Sequence, residues 1–401
     1  MLVPIEIVPL LRQLLKIMRL VKFLVVNILL FAISCNPSEE SAQDSGLILL
    51  DSVNINLDDQ SAPSLLFNQV TINGEVELLV NLNQLSGSLD LYNLATGDLY
   101  QRVAIPSEGP NAIIGVSGFH VLNPDSVFLF PKMSFNKMAI INLDGSVVNS
   151  FSPELPLINE IGKVLNHSST NSLPTFFHDG KIYFDQLTLK NTTQDGSLSP
   201  DFKVTGFVDF NTDSIQLLEK SGYPYSYLGK AFSIYAAVHS RVIDDSGKFV
   251  YSWGALDSLV VVNSNWDIEQ KVFSRSKYKS KDFPETPNAN LEQELEAVIG
   301  NGYYGRVMFD PFRNLYYRFY HIGRTYSSET DNSIASIFKN DFSVLVYNQD
   351  FEFLSETKFE GKTYDFYQAF VGRKGLYLPR LNQFYDKLNE DFIVSDIYVL
   401  K

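Results

Sequence analysis

Beyond Gly46 the chain alternates short apolar runs with Gly, Asn, Asp and Pro, the pattern of β-strands joined by turns. Long amphipathic periods are nearly absent. The exception is Asn290 to Ile299, where Leu291, Leu295 and Val298 recur at helical spacing among glutamates and predict a short surface helix in an inter-strand loop. A repeated unit organises the strands. Phe119 to Phe130, Ser240 to Tyr251 and Gly305 to Tyr317 each read as a strand, a polar turn and an apolar strand, and Phe176 to Phe184 is an abbreviated copy. A second hairpin follows in Met138 to Val148, Leu259 to Ile268 and Val344 to Phe353, with Asp, Asn or Gly in its turn. Two hairpins make one four-stranded blade.

Counting from Leu65 places blades near 65–105, 113–152, 173–220, 236–275, 303–358 and 364–401, a period of about 40–60 residues that suits a propeller. The fold class predicted is therefore all-β, a single six-bladed β-propeller over 46–401. Strands at Gln368–Val371, Gly375–Leu381 and Phe392–Leu400 leave the last blade one short, and Leu47–Ile55 fills the place. An amino-terminal strand completing the final blade closes the ring without an exposed sheet edge. A β-sandwich, or two, would use similar strands but does not explain paired hairpins.

Three stretches, Glu108-Gly109-Pro110-Asn111, Gly118 to Ser126 and Asp310 to Phe319, resemble the Bacteroidota lipoproteins of unknown function with a six-bladed-propeller-like body. The resemblance covers most of the chain after Cys35. It implies a fold and a location, and brings no substrate, cofactor or catalytic residue.

The amino-terminal residues carry an address. Arg19 and Lys22 precede an apolar run, Phe23 to Ser34, and then Cys35, the only cysteine. That run is shorter than the roughly 20 residues a membrane helix needs and reads as a signal core. Ala32-Ile33-Ser34-Cys35 resembles a bacterial lipobox, with Ala32 where a leucine is usual. Residues 1–34 are thus read as a signal peptide whose true start is Met1 or Met18, with a membrane anchor as the alternative. Residues 35–45 form a lipidated, acidic tether in which Ser38-Glu39-Glu40 is similar to a surface-export signal and equally to plain linker. The expected location is the cell envelope, on the outer membrane, with the membrane as partner through lipid on Cys35.

Composition is that of a folded body, 45% hydrophobic and 13% aromatic. A net charge of −14 argues against nucleic acid as partner. With one cysteine, no disulfide supports the fold. The five histidines, His120, His167, His178, His239 and His321, lack zinc-site spacing, and no nucleophile elbow, calcium loop or phosphate loop occurs. No metal or cofactor is expected. Catalytic residues are not identifiable, although carboxylates from different blades could still form a glycosidase-like pair.

The repeat register points to a binding site. His120, Arg241 and Arg306 share a position near the start of an innermost strand, and Lys132, Arg318 and Arg380 sit near the far end of the next strand. Antiparallel pairing puts both sets on one face, so six basic groups are expected at one channel mouth. Arginine forks there suit an anionic glycan or peptide. Tyr303, Tyr304, Tyr316 and Tyr317 are candidate stacking surfaces or, equally in keeping with strand chemistry, sheet core. The competing account pairs the cations with Asp244, Asp245 and Asp310. Function is read as a binding or interaction module; the alternative is a hydrolase or lyase on glycans or peptides.

Overall fold

The computed structural model describes residues 46–109, 112–113, 115–131, 137–152 and 166–401. Cys35, the signal, the tether and Lys132 lie outside the described residues. Among those described, 24 strands form six four-stranded sheets. Blade 1 holds β2 (Asn68–Asn73), β3 (Val76–Asn83), β4 (Ser88–Asn93) and β5 (Leu99–Ala104); blade 2 holds β6 (Val116–Asn123), β7 (Ser126–Pro131), β8 (Met138–Ile141) and β9 (Val147–Phe151). Blade 3 runs through β10 (Phe176–His178), β11 (Lys181–Asp185), β12 (Thr205–Asp209) and β13 (Ser214–Leu217), and blade 4 through β14 (His239–Ile243), β15 (Phe249–Trp253), β16 (Ser258–Val262) and β17 (Ile268–Phe273). Blade 5 comprises β18 (Tyr303–Asp310), β19 (Leu315–His321), β20 (Phe342–Asn348) and β21 (Phe353–Phe359).

Blade 6 has three carboxyl-terminal strands, β22 (Phe370–Gly372), β23 (Gly375–Pro379) and β24 (Phe392–Leu400), and takes its outer strand β1 (Leu47–Asn56) from the other end of the body. β1 runs antiparallel to β24 from Leu47 opposite Leu400 to Asn56 opposite Phe392, with one bulge after Leu49. Its Val53 and Ile55 enter a core with Leu79, Tyr92, Phe370 and Ile397, joining blade 1 to blade 6. Every blade and the closing strand pair lie within residues 46–401, so this body holds all the contacts that close its ring.

The second hairpins share one device. The ladder bulges just before Asn142, Asn263 and Asn348, and each asparagine Oδ1 accepts the backbone N–H four residues on, at 2.8, 3.0 and 2.8 Å. A short polar side chain thus supplies the turn's missing acceptor, which is why Asn recurs there. The helix expected near 290–299 spans Leu291–Asn301 and starts on a capping box between Asn290 and Gln293. It is less superficial than its glutamates suggest. Leu295, Ala297, Val298 and Ile299 are buried in the core that also holds Trp253 and Tyr227.

Candidate functional site

The innermost strands of the six blades surround a cavity of about 300 Å³. Its floor is a crossing segment, Ser169 to Thr175, that precedes β10. Asn171 knits this segment to both sides of the ring closure: its Oδ1 accepts from Asn68 N–H at 2.8 Å, while Nδ2 donates to the carbonyls of Leu65 (2.7 Å) and Tyr367 (3.2 Å). The Ser172 carbonyl accepts from Ser240 Oγ (2.7 Å) and from the Arg241 N–H (3.1 Å). Gly118 of blade 2 lies so close that a Cβ there would sit 2.2 Å from Ser169 Cβ. The segment therefore plugs the axis at the start of the inner strands. The cavity extends from it toward their far ends, past Asp245, Pro311 and the half-exposed Phe312.

Arg241 and Arg306 hold the plug. The Arg241 guanidinium is fully buried; Nε donates to Asp185 Oδ2 at 2.5 Å and Nη2 to the Pro174 carbonyl at 3.0 Å. Its plane lies 5.4 and 5.7 Å from the ring centres of Phe176 and Phe249. Asp185 is itself buried and also accepts from Thr205 Oγ1 at 2.5 Å. Burial pushes the Asp185 carboxyl up, but Arg241, His239 and Thr205 outweigh it and hold the group below its ordinary value. Arg241 Nη1 is buried without an acceptor.

Arg306 differs. Nε donates to the Asn171 carbonyl at 2.8 Å and Nη1 to the carbonyls of Ala369 and Tyr367. Among the described residues, no carboxylate stands within ion-pair distance of it, and no hydrogen bond uses Nη2. Burial pushes the guanidinium down to about 9, against a weaker pull from Asp365. Among the described residues its direct contacts are carbonyl dipoles alone, and Asp365 acts on it only from beyond ion-pair distance, so it lacks the contact counter-ion that ordinarily accompanies a buried cation.

His120 joins these two arginines on the cavity wall. Burial lowers it to about 4, and its neutral Nε2 accepts from the Phe177 N–H at 3.3 Å. Three of the expected six basic groups are thus brought together. Two are not. Arg318 belongs to β19, a second strand, so its side chain faces blade 4 rather than the axis: it donates to Ser252 Oγ, Ser274 O and Leu256 O at 2.9, 2.6 and 2.7 Å and lies 3.5 Å over the Tyr304 ring. Arg380 stays within blade 6, forked onto Asp396 with both bonds at 2.9 Å. The arginines that do meet stand at the floor of the cavity, against the plug, rather than at the rim of an open channel. Tyr303, Tyr304, Tyr316 and Tyr317 are buried sheet core. Asp244 accepts from Tyr316 and Asp310 pairs with Arg313, so neither neutralises the cavity arginines.

Asn171 and Asp185 had no place in the sequence reading. The signals for them were an acidic residue ending the apolar run Ile182-Tyr183-Phe184 and the long connection, residues 152–175, between blades 2 and 3. Among the described residues, no group of three or more His, Cys, Asp or Glu could hold a metal ion.

The fold has solved counterparts. A Bacteroides fragilis "Putative exported protein" matches over 89% of this chain and 96% of its own, with a TM-score of 0.52 and 10% identity. A protein from Bacteroides vulgatus, ATCC 8482, matches over 89% of this chain and 99% of its own at a TM-score of 0.77 and 21% identity, and is a member of the DUF4221 family. No curated protein matches the sequence. The family model for that same domain of unknown function spans residues 45–358, and with it the plug, Asp185, Arg241 and Arg306: the chain belongs to the DUF4221 family.

Proposed function

We propose that the protein is a binding module whose central cavity receives an anion, such as an acidic sugar or a peptide carboxylate. The observation that carries this reading is Arg306, a buried cation on the cavity wall with, among the described residues, no carboxylate at ion-pair distance and an unused Nη2. An incoming oxyanion would supply the missing counter-charge. Electrostatics of the rest of the site is nearly balanced, because Asp185 neutralises Arg241 and His120 is uncharged. A hydrolase or lyase would need an acid and a base near one reacting atom. The wall offers Asp245 and a His120 whose Nε2 is already engaged, which favours binding over chemistry.

The location belongs to the same proposal. We read Cys35 as the lipidated residue of an envelope lipoprotein, in keeping with the exported character named for the Bacteroides fragilis protein of like fold. Labelling with an alkyne fatty acid in cells should mark the wild type and not Cys35→Ala. For the cavity, sugar acids and free-carboxylate peptides are screened by calorimetry against the 46–401 body and against Arg306→Gln. Removing a buried charged partner costs about 2–5 kcal/mol of binding, so affinity should drop at least about 30-fold. Equal binding by a folded Arg306→Gln variant would refute the reading.

A further inference from the structure

We propose that the cavity selects a single carboxylate carried on an apolar body, either a small free acid or the carboxyl terminus of a peptide ending in an apolar residue. This rests on the anion reading of the same cavity. Charge sets the first half of the assignment. At the plug end Arg306 contributes one positive charge, opposed only by Asp365 from beyond ion-pair distance among the described residues, the Arg241–Asp185 pair contributes none and His120 is neutral; Asp245 is negative at the far end. That single positive charge at the plug end matches a carboxylate held there, whereas a phosphate dianion would exceed it and Asp245 would repel a second negative group at the far end.

The walls set the second half. Above the two guanidiniums the lining is Phe119, Phe176, Val307, Met308, Phe309 and Phe370. Two polar groups on the wall are already spent: Gln69 exchanges two hydrogen bonds with the Val121 backbone at 2.8 and 2.9 Å, and Thr175 Oγ1 donates to the Phe119 carbonyl. A sugar acid would bring several hydroxyls into contact with carbon and lose their water without replacement. An alkyl or aryl chain loses nothing there and leaves water. A volume of about 300 Å³ is at the small end for ligand sites, so the occupant is one short chain or one ring.

The test uses isothermal calorimetry on the 46–401 body with butyrate, hexanoate, octanoate, octanamide and D-glucuronate, together with a tetrapeptide ending in Phe, free or amidated. Each methylene buried in the cavity should tighten binding about fourfold until the chain fills it, and octanamide should bind at least about 30-fold more weakly than octanoate. Val371→Trp, which fills the cavity from β22 and leaves both arginines in place, should weaken octanoate about tenfold or more. Preference for the free peptide over its amide assigns the site to peptide termini; small acids binding while the peptide does not assigns it to free acids. If glucuronate binds through Arg306 while no chain-length trend appears, the apolar assignment is overturned and the anion reading stands. If no carboxylate binds, or octanamide equals octanoate, both fall.

Discussion

Replacing Asp185 by Asn tests the role of Arg241 as a buried strut. Both side chains are fully buried, and among the described residues the carboxylate is the one charge paired with Arg241, through the 2.5 Å Nε contact. After the change the guanidinium keeps the Pro174 carbonyl and two aromatic faces, none of which carries a negative charge. Breaking one member of such a pair costs about 3–5 kcal/mol, because the remaining ion stays buried. That is a large part of the roughly 5–15 kcal/mol that stabilises a folded domain. The exposed pair between Lys374 and Asp51 is the internal control: at 48% and 53% side-chain exposure, its loss in Lys374→Met should cost less than about 1 kcal/mol. Urea unfolding of the 46–401 body measures both. Adding Arg241→Gln to Asp185→Asn should recover part of the loss, since the orphaned charge is gone. If Asp185→Asn costs no more than Lys374→Met, Arg241 does not depend on Asp185 and the strut argument fails.

Ring closure and acid stability give two more tests. Ile55→Ala removes a fully buried side chain from the seam between blades 1 and 6 and should cost about 2–5 kcal/mol, whereas Leu50→Ala on the exposed side of the same strand should stay within about 0.5 kcal/mol; equal effects in urea melts would mean that β1 does not seal the ring. Burial lowers His120 to about 4 and His321 to about 3, so the unfolded chain binds protons that the folded one refuses. Their contribution is intact above pH 6.5 and lost as pH falls toward those values; for His120 the drop from 6.5 to about 4 corresponds to about 3 kcal/mol. Stability measured at pH 7 and pH 4.5 should differ less in His120→Gln than in wild type, and an unchanged difference would count against a neutral buried His120.

The blades were legible because their signals are local. Each second hairpin announces itself by an asparagine whose side chain completes the turn, at Asn142, Asn263 and Asn348, and the missing fourth strand of the last blade pointed directly to Leu47–Ile55. Turns that place Trp266 and Phe351 at positive φ, 62° in both, lack such a cue, since bulky residues rarely adopt that conformation. The arginines were harder. Position along a blade identifies the strand and the end, but not which neighbouring surface the side chain meets. Arg306 follows Gly305 in a bulge between Tyr304 and Val307 and reaches the axis, whereas Arg318, paired across the ladder with Val307, turns into the seam with blade 4. Nothing in residue spacing separates these two outcomes. The plug was invisible for a related reason: its contacts join residues more than 100 positions apart, such as Asn171 with Asn68 and with Arg306.

The plug also makes the cavity donors rigid before any ligand arrives. A free arginine side chain carries about 2 kcal/mol of rotamer entropy, which binding would have to remove. Here Nε and one terminal nitrogen of both Arg241 and Arg306 are already fixed, three of the five contacts being to plug carbonyls or to Asp185, so the unused Nη2 of Arg306 is held in place at no further cost. Loosening the plug should therefore weaken binding without touching the ligand. Gly118→Ala does this from outside the cavity: its Cβ would overlap Ser169, so the backbone of the crossing segment must shift, at an overpacking cost of about 1–3 kcal/mol. The expected result is faster hydrogen exchange across Asn171 to Thr175, together with weaker carboxylate binding by a protein whose blades remain folded. Faster exchange with unaltered affinity would show that the guanidiniums keep their positions without the plug, and would detach the cavity's chemistry from the segment that floors it.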